Sequence, residues 1–198
     1  MPESKTAPVF VVTDIEVDGP WPGPNSLRSF ASVAVTAAGE EVGVFEAVLE
    51  PLPGSQPALE TYEWFQTQDD AWAAATTDPQ PIVTVMDDFV SWVQGLPAER
   101  EFVAAPLAFD GFWIEYYLRR FTSYAVCQGP FESPRLFTGP GKCLTSFAAG
   151  VSGGELFNFS QHSLPKDWFG EVPHTHRAID DARGYAHLLV ELIRRAAG

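Results

Sequence analysis

At 198 residues and 21.7 kDa, the chain has the size of one domain with a substantial core and no room for a second. Its composition, 45% hydrophobic, 13% aromatic and only 19% charged, is that of a packed globular protein and excludes a disordered one. Twelve Lys and Arg against 26 Asp and Glu give a net charge of −14, which excludes a protein that holds long duplex nucleic acid by neutralising many phosphates.

Residues 8–13 form an apolar, β-branched run that ends in Asp14-Ile15-Glu16, as a buried strand does when it delivers polar groups at its tip. After a turn-rich stretch from Asp18 to Asn25, residues 29–36 and 42–49 alternate apolar and polar positions, and Gly39 between them predicts a hairpin. Helical periodicity follows at 58–73 and 82–95. Residues 101–109 read as another short buried strand, and Phe112, Trp113, Tyr116, Tyr117 and Phe121 then fall at helical spacing. Residues 129–142 read as a Gly/Pro-rich loop and 143–150 as a short helix, while 151–175 carries too much Gly, Pro and Asn to assign. From Ala178 to Ala196, Ala182, Tyr185, Ala186, Leu188, Leu189, Leu192 and Ile193 mark one face of an amphipathic helix after Pro173.

Cys127 and Cys143 are the only cysteines. With no CxxC spacing and no basic-then-apolar leader, they point to a reduced, cytoplasmic protein in which both are structural. No apolar run approaches the roughly 20 residues of a membrane span. Charge is uneven: between Ser29 and Glu99 there are 12 acids and no Lys or Arg, whereas Arg177, Arg183, Arg194 and Arg195 gather at the terminal helix.

Asp14 and Glu16, one residue apart on a strand, project from the same face while Ile15 points to the other layer. Two carboxylates this close repel unless neutralised, and dense hard oxygen ligands suit Mg²⁺ or Mn²⁺; the competing reading is a strand end that meets solvent. Asp110 stands at a predicted strand–helix junction, where α/β sheets bind ligands, and by itself reads equally as a helix N-cap. His176 and Asp181 form His-x-x-x-x-Asp. Five residues differ by about 140° on a continuous helix, so both reach one site only if His176 lies on a loop and Asp181 in the first helical turn. The same spacing at His162 and Asp167 has Pro165 inside it and reads as coincidence; Asp180 is a minor alternative ligand.

Asp14-Ile-Glu16, Phe109-Asp110 and His176-Arg-Ala-Ile-Asp-Asp181, in that order over roughly residues 8–193, resemble the motifs of the DEDDh 3′–5′ exonucleases of the ribonuclease-H-like superfamily. The Asp14–Pro20 segment, Glu63-Trp64-Phe65, Lys166-Asp-Trp-Phe169 and Pro173-His-Thr-His176 look most like small bacterial exoribonucleases related to ribonuclease T and oligoribonuclease. The resemblance implies an α/β fold with a mixed five-stranded central sheet flanked by helices. It further implies that Asp14, Glu16, Asp110 and Asp181 hold two Mg²⁺ or Mn²⁺ ions, that His176 is the general base, with His174 and His162 as the alternatives, and that single-stranded RNA or short oligonucleotide 3′ ends are the substrate. It leaves a homodimer open. The sequence departs from the family where a polar pair often precedes the mid-chain Asp: here those places are Ala105 and Pro106. Val17-Asp18-Gly19 stands where many relatives have a hydroxyl residue, so sugar discrimination does not carry over. Competing readings are a deoxyribonuclease of the same mechanism and a catalytically silent binding protein on this fold. Trp64, Phe65, Phe112 and Trp113 are the candidates for base stacking and Leu27 for a wedge between terminal bases, although at helical spacing such rings more often fill a core.

Overall fold

The computed structural model describes residues 8–97, 99–153 and 159–198. A five-stranded sheet runs in the order β3-β2-β1-β4-β5. Its strands are β1 (Val9–Val17), β2 (Leu27–Thr36), β3 (Glu41–Val48), β4 (Arg100–Ala104) and β5 (Lys142–Cys143). The first three form an antiparallel meander, and β4 and β5 continue parallel to β1. This is the mixed α/β sheet expected.

The strand β1 extends past the expected end, because β2 pairs with it from Val9↔Thr36 through Ile15↔Phe30 to Glu16↔Ser29 before a register shift at Val17. Asp14 and Glu16 therefore lie within the strand rather than beyond it. The pleat sorts its residues cleanly. Val11 and Ile15 enter one apolar layer, with α3 (Ile82–Gly95) and α4 (Phe112–Phe121), while Val12 enters the other, with α5 (Leu144–Ser152) and α6 (Ala178–Ala196). Being in step with Val12, Asp14 and Glu16 face α6.

The helical run expected over 58–73 is two helices, α1 (Leu59–Phe65) and α2 (Asp69–Thr76). Thr67 supplies the break: its hydroxyl donates to the Trp64 carbonyl at 2.6 Å, offering the backbone a partner other than the next helical turn. The strand expected over 101–109 ends at Ala104, and a wide π-type turn, Leu107–Gly111, carries the chain into α4. Pro106 begins that change, its carbonyl accepting from the Phe109 and Asp110 amides at 3.1 Å each. The end of the expected loop 129–142 contributes β5, too short to show periodicity in the sequence. Part of 151–175 forms single 3₁₀ turns at Gln161–Ser163 and Lys166–Phe169.

Packing corrects several surface expectations. Phe65 is 1% exposed and Trp113 0%, so neither ring is available to a base; Trp64 and Phe112 remain 40% and 43% exposed. Leu27 is fully buried, with its amide donating to the Tyr117 hydroxyl at 2.9 Å, which removes it as a wedge. Cys127 is exposed rather than packed, whereas Cys143 is half-buried beside α5. No helix among the described residues is long and apolar enough to cross a membrane.

Candidate active site

Three elements deliver four acids to one place. The strand β1 presents Asp14 and Glu16, the π-type turn after β4 presents Asp110, and the first turn of α6 presents Asp181. Asp181 sits four residues into α6, with its amide bonded to the Arg177 carbonyl at 3.1 Å, and its charge suits the positive end of the helix dipole. All four are buried, none more than 9% exposed. Carboxylate oxygens of Asp14, Glu16 and Asp181 lie within 4.8 Å of one another. Asp110 falls outside that mutual spacing but close enough for its charge to act on both Asp14 and Glu16.

Burial pushes three of these acids upward, and for Asp14 and Glu16 the neighbouring carboxylates add to it. Asp14 is raised well above the usual carboxylate range by burial and by Asp110, Glu16 and Asp181. Glu16 is raised to about 9 by burial and by Asp181 and Asp110, and Asp110 to about 7 by burial. Among the described residues, no Lys or Arg forms an ion pair with any of the four. One oxygen of Asp110, Oδ2, is buried with no hydrogen-bond partner among the described residues. Buried carboxylate oxygens at this density, without Lys or Arg partners among the described residues, fit hard divalent cations.

Beside the acids stands a loop of histidines. His174 Nδ1 lies 2.9 Å from Asp181 Oδ1, and the Thr175 amide donates to the same oxygen at 3.1 Å. The Thr175 hydroxyl donates to Asp180 Oδ2 at 2.7 Å, so Asp180 tethers the loop and is not among the converging acids. These bonds hold the loop in a turn that places His176 in the left-handed region at φ 56°, a conformation costing a non-glycine residue roughly 1–2 kcal/mol. His176 packs edge-on against Trp64, ring centroids 4.9 Å apart, and against His174 at 4.5 Å. Burial and the charge of His174 lower His176, whereas the bond to Asp181 raises His174. Near neutral pH His176 is therefore the imidazole more available to accept a proton.

The sequence underrated two residues here. His174 was expected only as a rival base, yet it is the side chain bonded to Asp181. His162, whose spacing to Asp167 was set aside as coincidence, places its ring 5.2 Å from that of His174, tilted by 50°. The alternation in Pro173-His-Thr-His176 was the available signal for the first; nothing local marks the second, because a loop fold brings it there. A cavity of about 460 Å³ opens beside these groups, lined by His162, Lys166, His174, Asp180, Asp181 and Tyr185 among others.

The terminal-helix arginines are largely engaged elsewhere. Arg194 and Arg195 pair with Glu191, Arg195 also lies over Trp168 at 3.9 Å, and Arg183 approaches Glu41 at 3.5 Å. Arg177 has no ion pair among the described residues and lines a cleft of about 760 Å³ with Thr67, Gln68, Thr175 and Asp180.

The strand order, the mixed pairing and the two helical layers define a ribonuclease-H-like α/β fold. Among the solved structures that share it are three nucleases. Escherichia coli exonuclease I in complex with a dT13 oligonucleotide matches at TM-score 0.66 and 14% identity over 96% of this chain and 42% of that one. A full-length 3′-exonuclease matches at 0.67 and 10% over 96% and 83%. The nuclease domain of 3′hExo, a DEDDh family member bound to rAMP, matches at 0.58 and 10% over 96% and 94%. The chain thus spans about two fifths of exonuclease I and nearly all of the 3′hExo nuclease domain, and at these identities the likeness is one of fold. No family model and no curated protein sequence matches the chain.

Proposed function

We propose that this chain is a metal-dependent 3′–5′ exonuclease that removes nucleoside 5′-monophosphates from single-stranded ends, with RNA as its substrate. The convergence of four buried carboxylates without a Lys or Arg partner among the described residues, beside His176, carries the reading. The fold shared with exonuclease I and with the 3′hExo nuclease domain supports it.

In this reading Asp14, Glu16, Asp110 and Asp181 would hold two Mg²⁺ or Mn²⁺ ions. Such ions, when bound, lower the pKa of a coordinated water and neutralise charge developing on the phosphate. The chain's own groups do the rest. His176, uncharged near neutrality, takes the proton of the attacking water at a ring nitrogen, while Trp64 restricts the orientation of that ring. His174 and the Thr175 amide fix Asp181 from the solvent side. Trp64 and Phe112, exposed on elements next to the acids, offer faces on which unpaired bases can stack.

A DNA substrate is the second reading, favoured by the dT13 oligonucleotide bound to exonuclease I. Labelled ribo- and deoxyribo-oligomers of one sequence, incubated with Mg²⁺, Mn²⁺ or chelator, decide the matter. The proposal requires mononucleotide 5′-phosphates released from the 3′ end with metal only, and faster from RNA. Faster release from DNA would transfer it to the second reading. No metal-stimulated turnover of either would leave a binding protein on this fold.

A further inference from the structure

Asp181 belongs to two different constellations. Its carboxylate lies within 4.8 Å of Asp14 and Glu16 oxygens, and it also lies within 4.8 Å of ring nitrogens of both His174 and His176, themselves mutually within that limit. The first set is all oxygen and suits a hard cation. The second offers two imidazole nitrogens and one carboxylate oxygen, a combination that favours a borderline transition ion over Mg²⁺.

The second set is also placed to be reached. His174 is half-exposed, His176 partly so, and both border open surface, whereas Asp181 is buried and fixed at the start of α6. Asp181 Oδ1 already faces His174 Nδ1 at 2.9 Å, and the two imidazole rings are 4.5 Å apart at 68° to each other. Three donors converging from a helix start and a tethered loop, with one side open, form the kind of incomplete tetrahedral set that a water or a substrate oxygen would finish.

We propose that His174, His176 and Asp181 form a second metal site, selective for Zn²⁺-like ions over Mg²⁺, whose occupation shuts down hydrolysis. Binding follows from the donor set alone; the inhibitory consequence rests on the function proposed above, because the ion takes the ring nitrogen of His176 that would receive a proton and draws Asp181 away from the other acids. The chain would then be active in Mg²⁺ or Mn²⁺ and silenced by traces of zinc.

Binding and inhibition are read separately. Co²⁺, added as a coloured stand-in, should give the intense visible absorption of a nitrogen-bound, low-coordinate ion in the wild type and in Asp14→Asn/Asp110→Asn. Zn²⁺ should displace it stoichiometrically. His174→Ala should lose that absorption and bind Zn²⁺ at least tenfold more weakly. In the wild type, Zn²⁺ should perturb the NMR imidazole signals of two of the four histidines, His174 and His176, a result independent of whether any variant folds. For inhibition, each protein is normalised to its own zinc-free rate in saturating Mg²⁺, and His174→Ala should need at least tenfold more Zn²⁺ for half-inhibition. Loss of the Co²⁺ absorption in Asp14→Asn/Asp110→Asn, its persistence in His174→Ala, or imidazole signals unmoved by Zn²⁺ would overturn the site. Zinc binding as described in a chain without nuclease turnover would uphold the site and refute the proposed function instead.

Discussion

Asp110 tests whether the site acids are buried at a cost to the metal-free fold. Burial lifts it from 3.8 to about 7, and Glu16 from 4.5 to about 9. A carboxyl whose pKa is higher folded than unfolded binds its proton more tightly in the fold. Its contribution is complete below the unfolded pKa and is lost as pH rises through the folded one. For Asp110 that window runs from about 4 to about 7, and Glu16 extends it to about 9. At pH 8, a shift of about three units corresponds to about 4 kcal/mol opposing the metal-free fold, an upper bound because Asp110 shares protons with a neighbouring carboxyl. Half of that, at roughly 2–4 °C per kcal/mol for a chain of this size, predicts that Asp110→Asn melts about 4–8 °C above the wild type in chelator at pH 8. Saturating Mg²⁺ or Mn²⁺ should reverse the order, because only the wild type keeps the full ligand set. Circular dichroism melts between pH 7 and 9, above the ordinary titration of histidine, measure both effects. A chelated wild type whose melting temperature holds or rises across that range, or an Asp110→Asn protein that melts lower, would refute the reasoning.

Asp14→Ala and Asp181→Ala should each retain less than about a tenth of wild-type kcat; more than that, a loss under roughly 1.4 kcal/mol, would show that the residue is not a direct ligand. His176→Ala should lower kcat by about 10²–10⁴, and a retained rate there with an equal loss in His174→Ala would exchange their roles. Phe65→Ala should cost about 3–5 kcal/mol in urea unfolding because its ring is buried, whereas Trp64→Ala should chiefly weaken substrate turnover; the opposite pattern would show the rings misassigned. Binding of a metal-loaded, catalytically inactive variant to RNA should show a salt slope equivalent to two or three neutralised phosphates and no gain in affinity beyond about five nucleotides, with six or more phosphates marking a cationic groove where this structure shows none.

What the sequence made legible follows the range over which its signals act. The acids on β1 were readable because Asp14-Ile-Glu16 ends a β-branched run, and a pleat of period two fixes their shared face whatever the exact strand end. Asp181 was readable because Pro173 and the apolar stripe from Ala182 onward locate the start of α6. Local pattern failed where tertiary packing decides. Trp64 and Phe65 are neighbours in one helix, yet one is open and the other sealed, because Phe65 meets Trp72 from α2 at 5.0 Å. Leu27 follows a polar turn and was a candidate wedge between bases, but it is buried, and the hydroxyl of Tyr117, 90 residues away, accepts from its amide. His162 was out of reach for the same reason: its approach to His174 depends on the path of a long irregular segment.

The charge of −14 and the buried acids pose one problem at two scales. At the site, the raised carboxyls of Asp14, Glu16 and Asp110 oppose the fold at high pH unless cations are supplied, so occupancy of the proposed site and stability of the chain are linked. Across the surface, the arginines at the terminal helix mostly answer acids of their own, such as Glu191 and Glu41, leaving Arg177 beside the Thr175–Asp180 tether and Lys166 beside His174 as cations bordering the site without an ion pair among the described residues. A polyanion approaching this surface meets little long-range attraction, and its affinity has to arise within contact distance, from cations held by the acids, from Arg177 and from the faces of Trp64 and Phe112. Under the proposed function, such a surface would discriminate by the end of a strand rather than by its length, because only a terminus can bring a phosphate, an unpaired base and the acid cluster together at once.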